Sequence, residues 1–143
     1  MSFSGTVNDW CNNVVPNYVD RTIRRAVFEV WNRLDFRSPV GDPSTWSSPA
    51  PPGYVGGRFR ANWQYGFNSQ PSTLLDEIDT DGSRTRERVF NAVMSGPAIG
   101  VHYLTNNSPY GQRLEEGWSQ QAPFGMVALT ELEFPDIFRI AQQ

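Results

Sequence analysis

The chain contains no lysine, one cysteine and one histidine among its 143 residues. Cys11 alone cannot form an internal disulfide bond or a zinc site built from cysteines. His102 belongs to neither an HExxH zinc motif nor a GxSxG nucleophile motif, and a pair with the distant Cys11 would need a chance meeting in the fold. We interpret His102 as a histidine on the face of a strand.

Long apolar runs are also missing from the sequence. No stretch is apolar enough to cross a bilayer, and the first residues do not form a basic and then apolar leader. The glycines at 53, 56 and 57 lack the spacing of a phosphate-binding loop. The default expectation is a cytosolic origin, with no membrane association.

Carboxylates occur in two clusters, and neither has the spacing that its chemistry requires. If Gly82 were the sixth position of a calcium loop, Arg88 would be the twelfth, where a bidentate glutamate is needed. Glu115 and Glu116 are adjacent on a predicted helix and point about 100° apart, so they do not converge on one bond. The sequence therefore predicts no catalytic, cofactor-binding or metal-binding residue.

All twelve basic residues are arginine, and their distribution is uneven. Residues 1–70 hold seven arginines against five acids, whereas residues 71–143 hold five against ten. Arginine forms forked ion pairs and stacks on aromatic rings, which suits protein interfaces, although an arginine-biased genome would give the same composition. The net charge of −3 does not favour binding to duplex DNA.

Helical periodicity is clearest near the start of the chain. Apolar residues at spacings of three and four predict an amphipathic helix of about five turns: Val19, Ile23, Ala26, Val27, Val30, Trp31 and Leu34. A shorter helix is predicted before it at 6–12, with Trp10 buried, Pro16 ending it and Asn17 capping the next.

The middle of the chain predicts a long loop, then a strand and a helix. Residues 38–57 contain five prolines and four glycines, and we expect them to be ordered mainly by packing on another surface. Strict alternation predicts a strand over 58–67 with its aromatic residues inward, and 72–79 is a second candidate strand. A helix over 84–94 is predicted, capped by Ser83 or Asp81 and ended by Gly96.

The last third changes conformation often. We predict a strand from Ile99 to Tyr103, a turn at 106–109, a helix over 110–116, an irregular segment over 118–124 and a last helix over 134–141. Residues 126–132 suit a strand or a helix. The expected fold is a single α+β domain, 1–143, in which a small antiparallel sheet packs against the long N-terminal helix and the mid-chain helix, with long ordered loops.

Three segments together resemble the tail-completion, or neck, proteins of tailed bacteriophages: RSPVGDP at 37–43, GYVGGRFRANWQ at 53–64 and TNNSPYGQRLEEGWSQQAPFGMV at 105–127. The third segment is the most specific. Its matching residues are Asn107, Pro109, Tyr110, Leu114, Glu115 or Glu116, Gly117, Ser119, Gln121, Ala122, Pro123, Gly125, Met126 and Val127. Two departures are Ser108, which separates Asn107 from Pro109, and a second glutamate, Glu116, before Gly117. A long insertion between 41 and 57 also exceeds the simplest form of the family.

This resemblance implies a virion subunit that forms a ring at the end of the tail or in the neck. The ring is expected to be sixfold, with twelve copies as the alternative, and to carry no catalytic residue or cofactor. Its expected partners are the tail tube or tail terminator protein and the connector proteins on the portal side. Genomic DNA would pass through the lumen without specific binding, and assembly would occur in the host cytoplasm.

The predicted interface lies mainly in loops 38–57 and 110–124, which we expect neighbouring or partner subunits to order, and extends to the first residues of the strand predicted over 58–67. Its candidate residues are Trp46, Tyr54, Arg58, Arg60, Tyr110, Arg113, Glu116, Trp118, Gln121 and Phe124. A further hypothesis places some of four acids against the passing DNA, which they would repel: Asp76, Glu77, Asp79 and Asp81.

Three alternatives to a tail ring stay open. The first is a portal-side connector or an assembly factor that is not retained in the tail. A small hydrolase using the carboxylates near Glu115 is a second alternative. Single-stranded nucleic acid stacking on RFRANWQY is a third, disfavoured because alternation turns the aromatic rings away from the arginines.

Overall fold

One helical run occupies the first quarter of the chain. The computed structural model describes residues 2–143, and in it three helical elements follow each other without a break: α1 (Phe3–Asp9), a π-helical turn (Trp10–Val14) and α2 (Val15–Arg37). The buried residues of α2 are Ala26, Trp31 and Leu34, all on the predicted apolar face. The predicted amphipathic helix is therefore confirmed.

The predicted helix break at Pro16 is wrong. Proline lacks an N–H and its ring clashes with the carbonyl four residues earlier, which normally ends a helix. Here the preceding turn is wider, because the Val15 N–H bonds to the Trp10 carbonyl five residues back. Pro16 therefore lies in the first turn of α2, where its missing N–H costs little, and Asn17 is not a cap. Trp10, predicted to be buried, is 58% exposed.

The other elements are short. In chain order they are a 3₁₀ turn (Pro43–Thr45), α3 (Arg58–Ala61), β1 (Trp63–Phe67), α4 (Ser83–Ser95), β2 (His102–Asn106), α5 (Gly111–Glu115), α6 (Val127–Leu132) and α7 (Phe134–Ala141). The fold is α+β, about 52% helix and 7% strand, as predicted. None of the helices between residues 2 and 143 is both long and apolar enough to span a bilayer.

The predicted strand over 58–67 is correct only in its second half. Gly57 has a φ of +112°, and its carbonyl accepts hydrogen bonds from the N–H groups of Ala61 and Asp79. This turns the chain into α3 before β1 begins. Phe59 and Ala61 are buried as predicted, but Asn62, predicted on the outer face, is also buried.

The candidate strand over 72–79 does not form. The buried Asn62 side chain satisfies the backbone of this segment instead: its oxygen accepts the Leu75 N–H at 2.7 Å and its nitrogen donates to the Leu75 carbonyl at 3.0 Å. The segment therefore runs alongside the core without a strand partner, and Leu74 is exposed.

The two strands pair antiparallel, with Trp63 opposite Asn106 and Phe67 opposite His102. The predicted strand over 99–103 is shifted, because β1 turns away at Asn68, whose φ is +55°. Pairing consequently begins at His102 and continues to Asn106, which was predicted to be in a turn. Ile99 and Val101 are left exposed.

The main core joins the sheet to α2, α4 and the segment before α6. Its buried members are Trp31, Leu34, Phe59, Trp63, Val89, Val93, Ala122 and Met126. The Trp63 indole N–H donates to the Ser38 hydroxyl at 2.7 Å, and Ser38 in turn donates to the Leu34 carbonyl. On α4, Val89 and Val93 are buried as predicted, whereas Phe90 and Met94 are partly exposed.

A second contact fixes α7 along α2. Ile137 and Ala141 pack against Ala26. Glu133, just before α7, pairs with Arg33 at 2.6 Å and with Arg37. The hydrogen bond from Arg37 holds the pKa of Glu133 below its usual value.

We expect Glu133→Gln to lower the free energy of unfolding by about 1–2 kcal/mol near neutral pH, because two arginines lose their partner. A lowered carboxyl pKa stabilises the fold above the unfolded-state pKa and ceases to do so as pH falls through the folded-state pKa. The difference in the free energy of unfolding between the unaltered chain and Glu133→Gln should therefore become smaller below about pH 4. Urea denaturation across this pH range measures it.

Asp136→Asn is the matched control, since the Asp136–Arg139 pair is exposed on both sides and should contribute little. A Glu133→Gln deficit that stays constant down to about pH 3 would contradict the ion-pair account.

Candidate functional site

The two loops that contain the predicted interface meet within one chain. Segments 39–46 and 54–59 line a groove of about 630 Å³ together with segment 110–121. Six of the ten predicted interface residues line it: Trp46, Tyr54, Arg58, Tyr110, Trp118 and Gln121. The structure thus brings most of the predicted set to one place.

The 38–57 loop has its own internal structure. The Asp42 carboxylate accepts hydrogen bonds from the Ser44 hydroxyl at 2.7 Å and the Ser44 N–H at 3.0 Å, which lowers the pKa of Asp42 and starts the 3₁₀ turn. Trp46 and Tyr54 meet edge to face with ring centroids 4.8 Å apart. Tyr54 lies so close over Gly41 that a side chain there would collide with it. The loop therefore presents its aromatic rings in a defined arrangement.

Phe59 and Tyr110 continue the groove surface. The buried Phe59 ring lies 6.1 Å from both Trp63 and Tyr110. Burial raises the pKa of the Tyr110 phenol, which stays neutral at physiological pH. Arg58 pairs with the exposed Asp76 at 2.6 Å, so the cation stands at the edge of the groove with a partner that water also reaches.

Gln121 ties the two loops together. Its side-chain nitrogen donates to the Val40 carbonyl at 2.8 Å, and its oxygen accepts the Val40 N–H at 3.1 Å. These two hydrogen bonds resemble those between paired β-strand residues, and they join Val40 to Gln121, which is 81 positions later in the sequence. They connect the two loops that line the groove.

Trp118 and Phe124 project from the same late segment. Trp118 is 71% exposed, and the Arg113 guanidinium lies over its ring at 5.2 Å. Phe124, which does not line the groove, is 76% exposed. Aromatic rings and arginine are the side chains enriched at protein–protein contacts.

Glu115 fixes the geometry of this segment. Its carboxylate accepts three backbone N–H groups at the start of α6, those of Met126 at 2.8 Å and of Val127 and Ala128 at 2.9 Å. These are orphan donors that a helix start must satisfy. Gly125, with φ of +81°, passes so close that a Cβ would lie 2.6 Å from Glu115. A carboxylate bound in this way acts as a structural cap.

Comparison with known proteins identifies no relative: the chain matches no family model, no curated protein and no solved structure. The role of the groove therefore has to be inferred from its own residues. The resemblance to tail-completion proteins stays an expectation from the sequence.

Two other predicted interface residues, Arg60 and Glu116, have partners within the chain. Arg60 is largely buried and donates to the carbonyls of Thr80 at 3.0 Å and Asp35 at 3.2 Å. Its Nε lies 3.2 Å from the Asp35 carboxylate without hydrogen-bond alignment, so that contact is an ion pair by proximity. Burial raises the pKa of Asp35. Glu116 accepts a bond from Gln112 at the exposed side of α5.

The residues considered for other chemistry also have structural partners. His102 Nε2 donates to the Ala98 carbonyl at 2.7 Å, and Nδ1 therefore accepts from the Tyr65 hydroxyl at 2.9 Å. The buried Asp79 accepts from the N–H and hydroxyl of Thr85, in the first turn of α4. Gly82 occupies the cap position of α4, and two carboxylates bind its first turn: Asp81, one of the two predicted caps, accepts the Ser83 N–H at 3.0 Å, and Asp79 accepts the Thr85 N–H.

No cluster of three or more metal-ligating side chains occurs within residues 2–143. Of the acids in the 76–81 run, Asp79 is buried in its cap, whereas Asp76, Glu77 and Asp81 are exposed.

Sequence reasoning missed the contribution of Val40 and Gly41 to the groove. Val40 contributes through its backbone, and Gly41 through the space it leaves for Tyr54. The signal in the sequence that includes them is the resemblance of segment 37–43 to tail-completion proteins, which stays an expectation.

We expect Glu115→Gln to lower the free energy of unfolding by about 1–3 kcal/mol, because the amide turns an N–H₂ group toward backbone donors. The adjacent Glu116→Gln removes the same charge from an exposed position and should change stability by less than about 0.5 kcal/mol. Urea denaturation of both variants measures the difference. Equal stabilities would show that the three hydrogen bonds contribute nothing net.

We expect Gly57→Ala to destabilise the fold by at least about 2 kcal/mol more than Gly53→Ala. Both glycines have positive φ, +112° and +73°, so both substitutions carry backbone strain. Only at Gly57 would the new Cβ collide, 2.7 Å from the Thr80 nitrogen, while Gly53 has open space. Thermal unfolding of the two variants tests this, and equal melting temperatures would contradict it.

Proposed function

We propose that this chain is a structural subunit of a bacteriophage virion. In this proposal it forms a ring at the head-proximal end of the tail or in the neck, where it completes the tail and joins it to the head connector. The observation that supports it most is the state of segment 105–127. That segment resembles tail-completion proteins, is held rigid by Glu115, and presents Trp118 and Phe124 to solvent.

Rigid, exposed aromatic anchors favour recognition of another protein surface. They bury large areas at low entropic cost because the turns that carry them are already fixed. The groove is lined mainly by aromatic rings, amides and backbone, which also suits a contact made by shape. We propose six copies in the ring, with twelve as the alternative, and no catalytic role.

The proposed partners lie on the two sides of the ring. The tail tube or tail terminator protein would contact one side, and the portal-side connector proteins the other. Genomic DNA would pass through the lumen without specific binding, and Asp76, Glu77 and Asp81 are exposed acids available to line it. Assembly would occur in the host cytoplasm.

Substitution in the phage that encodes the chain tests this function. With Trp118→Ala and Phe124→Ala together, we expect at least about tenfold fewer joined particles, with filled heads and free tails counted by electron microscopy. Phe36→Ala is the control, since Phe36 is 86% exposed on α2 and outside the groove. Joined particles at the normal number would contradict the proposal.

The amount of protein in purified virions separates the alternatives. Six or twelve copies by quantitative mass spectrometry would support the ring. Absence from virions that need the gene for assembly would favour an assembly factor on the portal side.

A further inference from the structure

The first residues of the chain form a helical arm. Every residue from Ser2 to Val14 is exposed, so no side chain of α1 or the π-helical turn is buried against the body. A helix of this length reaches about 18 Å beyond α2. Four of its large apolar residues follow at spacings of four, three and four: Phe3, Val7, Trp10 and Val14. This spacing places them in one stripe along the helix.

The arm needs a surface to pack on. Glycine, threonine, valine and asparagine are poor helix formers, and they make up much of residues 5–14. Ser2 supplies a cap, its hydroxyl accepting the Gly5 N–H at 3.1 Å. Most helix stability in proteins nevertheless comes from packing of an apolar face, and the stripe of the arm is uncovered in one chain.

The groove of the same chain is out of reach. The arm continues α2 at its first residue, whereas Val40 of the groove comes three residues after the last residue of α2. The 23 residues of α2 separate the two ends by about 35 Å. Since α2 carries Trp31 and Leu34 in the core, it cannot fold back without unfolding the body. Only a second copy can bring an arm to this groove.

We propose that the arm of one copy lies in the groove of the next copy, with its apolar stripe against Trp46, Tyr54 and Trp118. This inference rests on the proposed function, because it names the contact between neighbouring subunits of the ring. Charge does not oppose the pairing. Asp9 is the one charged side chain among residues 2–14, and the charged residues that line the groove are one of each sign, Asp42 and Arg58.

The area is sufficient for a specific contact. Two aromatic and two valine side chains on the arm would bury about 500 Å², and the groove a similar amount. The total of about 1,000 Å² is at the lower limit of specific interfaces. Because arm and groove are different surfaces at opposite ends of α2, the contact is head to tail, and repetition of it closes a ring or extends a filament.

Complementation between two variants of the full chain tests the contact. Trp10→Asp removes a functional arm and Trp118→Asp removes a functional groove, and both positions are exposed in one chain, so both variants should fold. We expect the unaltered chain to associate at about 100 μM and each variant alone to stay monomeric. An equimolar mixture should form a dimer, because one variant still has an arm and the other a groove.

Sedimentation velocity and native mass spectrometry read the result, with circular dichroism to confirm folding. Phe36→Asp, at an exposed position outside both surfaces, should associate like the unaltered chain. A monomeric mixture, or an unaltered chain that stays monomeric, would overturn the proposal. Association of Trp118→Asp by itself would overturn it in favour of arm-to-arm pairing.

The lone thiol gives a second readout, because Cys11 is exposed on the arm next to Trp10. A benzophenone maleimide attached to Cys11 should cross-link, on illumination, to residues 39–59 or 110–121 of another copy. Cross-links from arm to arm would overturn the proposal.

These experiments need no tail. If the mixed variants pair but virions lack the protein, the arm contact stands and the proposed function fails. If virions require the protein but the mixture stays monomeric, the arm contact fails alone.

Discussion

The three hydrogen bonds from the start of α6 to the Glu115 carboxylate hold the late part of the fold together. They close residues 115–128 into a compact unit, so that Ala122 and Met126 enter the core beside Trp31 and Trp63. The same closure leaves Trp118 and Phe124 outside. One carboxylate thus determines which side of the segment is core and which is surface. Without it, the groove would lose one of its walls and the core one of its layers.

The helical spacing of apolar residues correctly predicted the helices that bury a single apolar face. α2 and α7 have clear apolar stripes, and their bounds or core residues agree with prediction. The alternation of apolar and polar residues wrongly predicted a strand at 58–62. The single helical turn of α3, which follows Gly57, buries Phe59 and Ala61 just as a strand would. The direction of that turn is set by the bond from Asp79 to Gly57, a contact between distant residues that no local pattern contains.

The candidate site was predictable in its residue types but not in its geometry. Trp46, Tyr54 and Trp118 stood out as aromatic residues in loops otherwise built of small and polar groups. That Gln121 grips the Val40 backbone depends on the fold, since a glutamine in a turn gives no sign of its partner. The distinction between Glu115 and Glu116 likewise needs the structure, because only one of two identical neighbours faces α6.

The π-helical turn before Pro16 has a consequence for direction. One extra residue in a helical turn rotates everything before it by about 100° around the axis. The apolar stripe of residues 3–14 therefore does not continue the buried face of α2 in the same direction, although both lie on one continuous helical run. Deleting a single asparagine from the 12–13 pair would restore the ordinary winding and swing that stripe by more than a quarter of a circle. The number of residues in the π-helical turn therefore sets the angle between the apolar stripe of residues 3–14 and the buried face of α2, and the rest of the fold does not affect this angle.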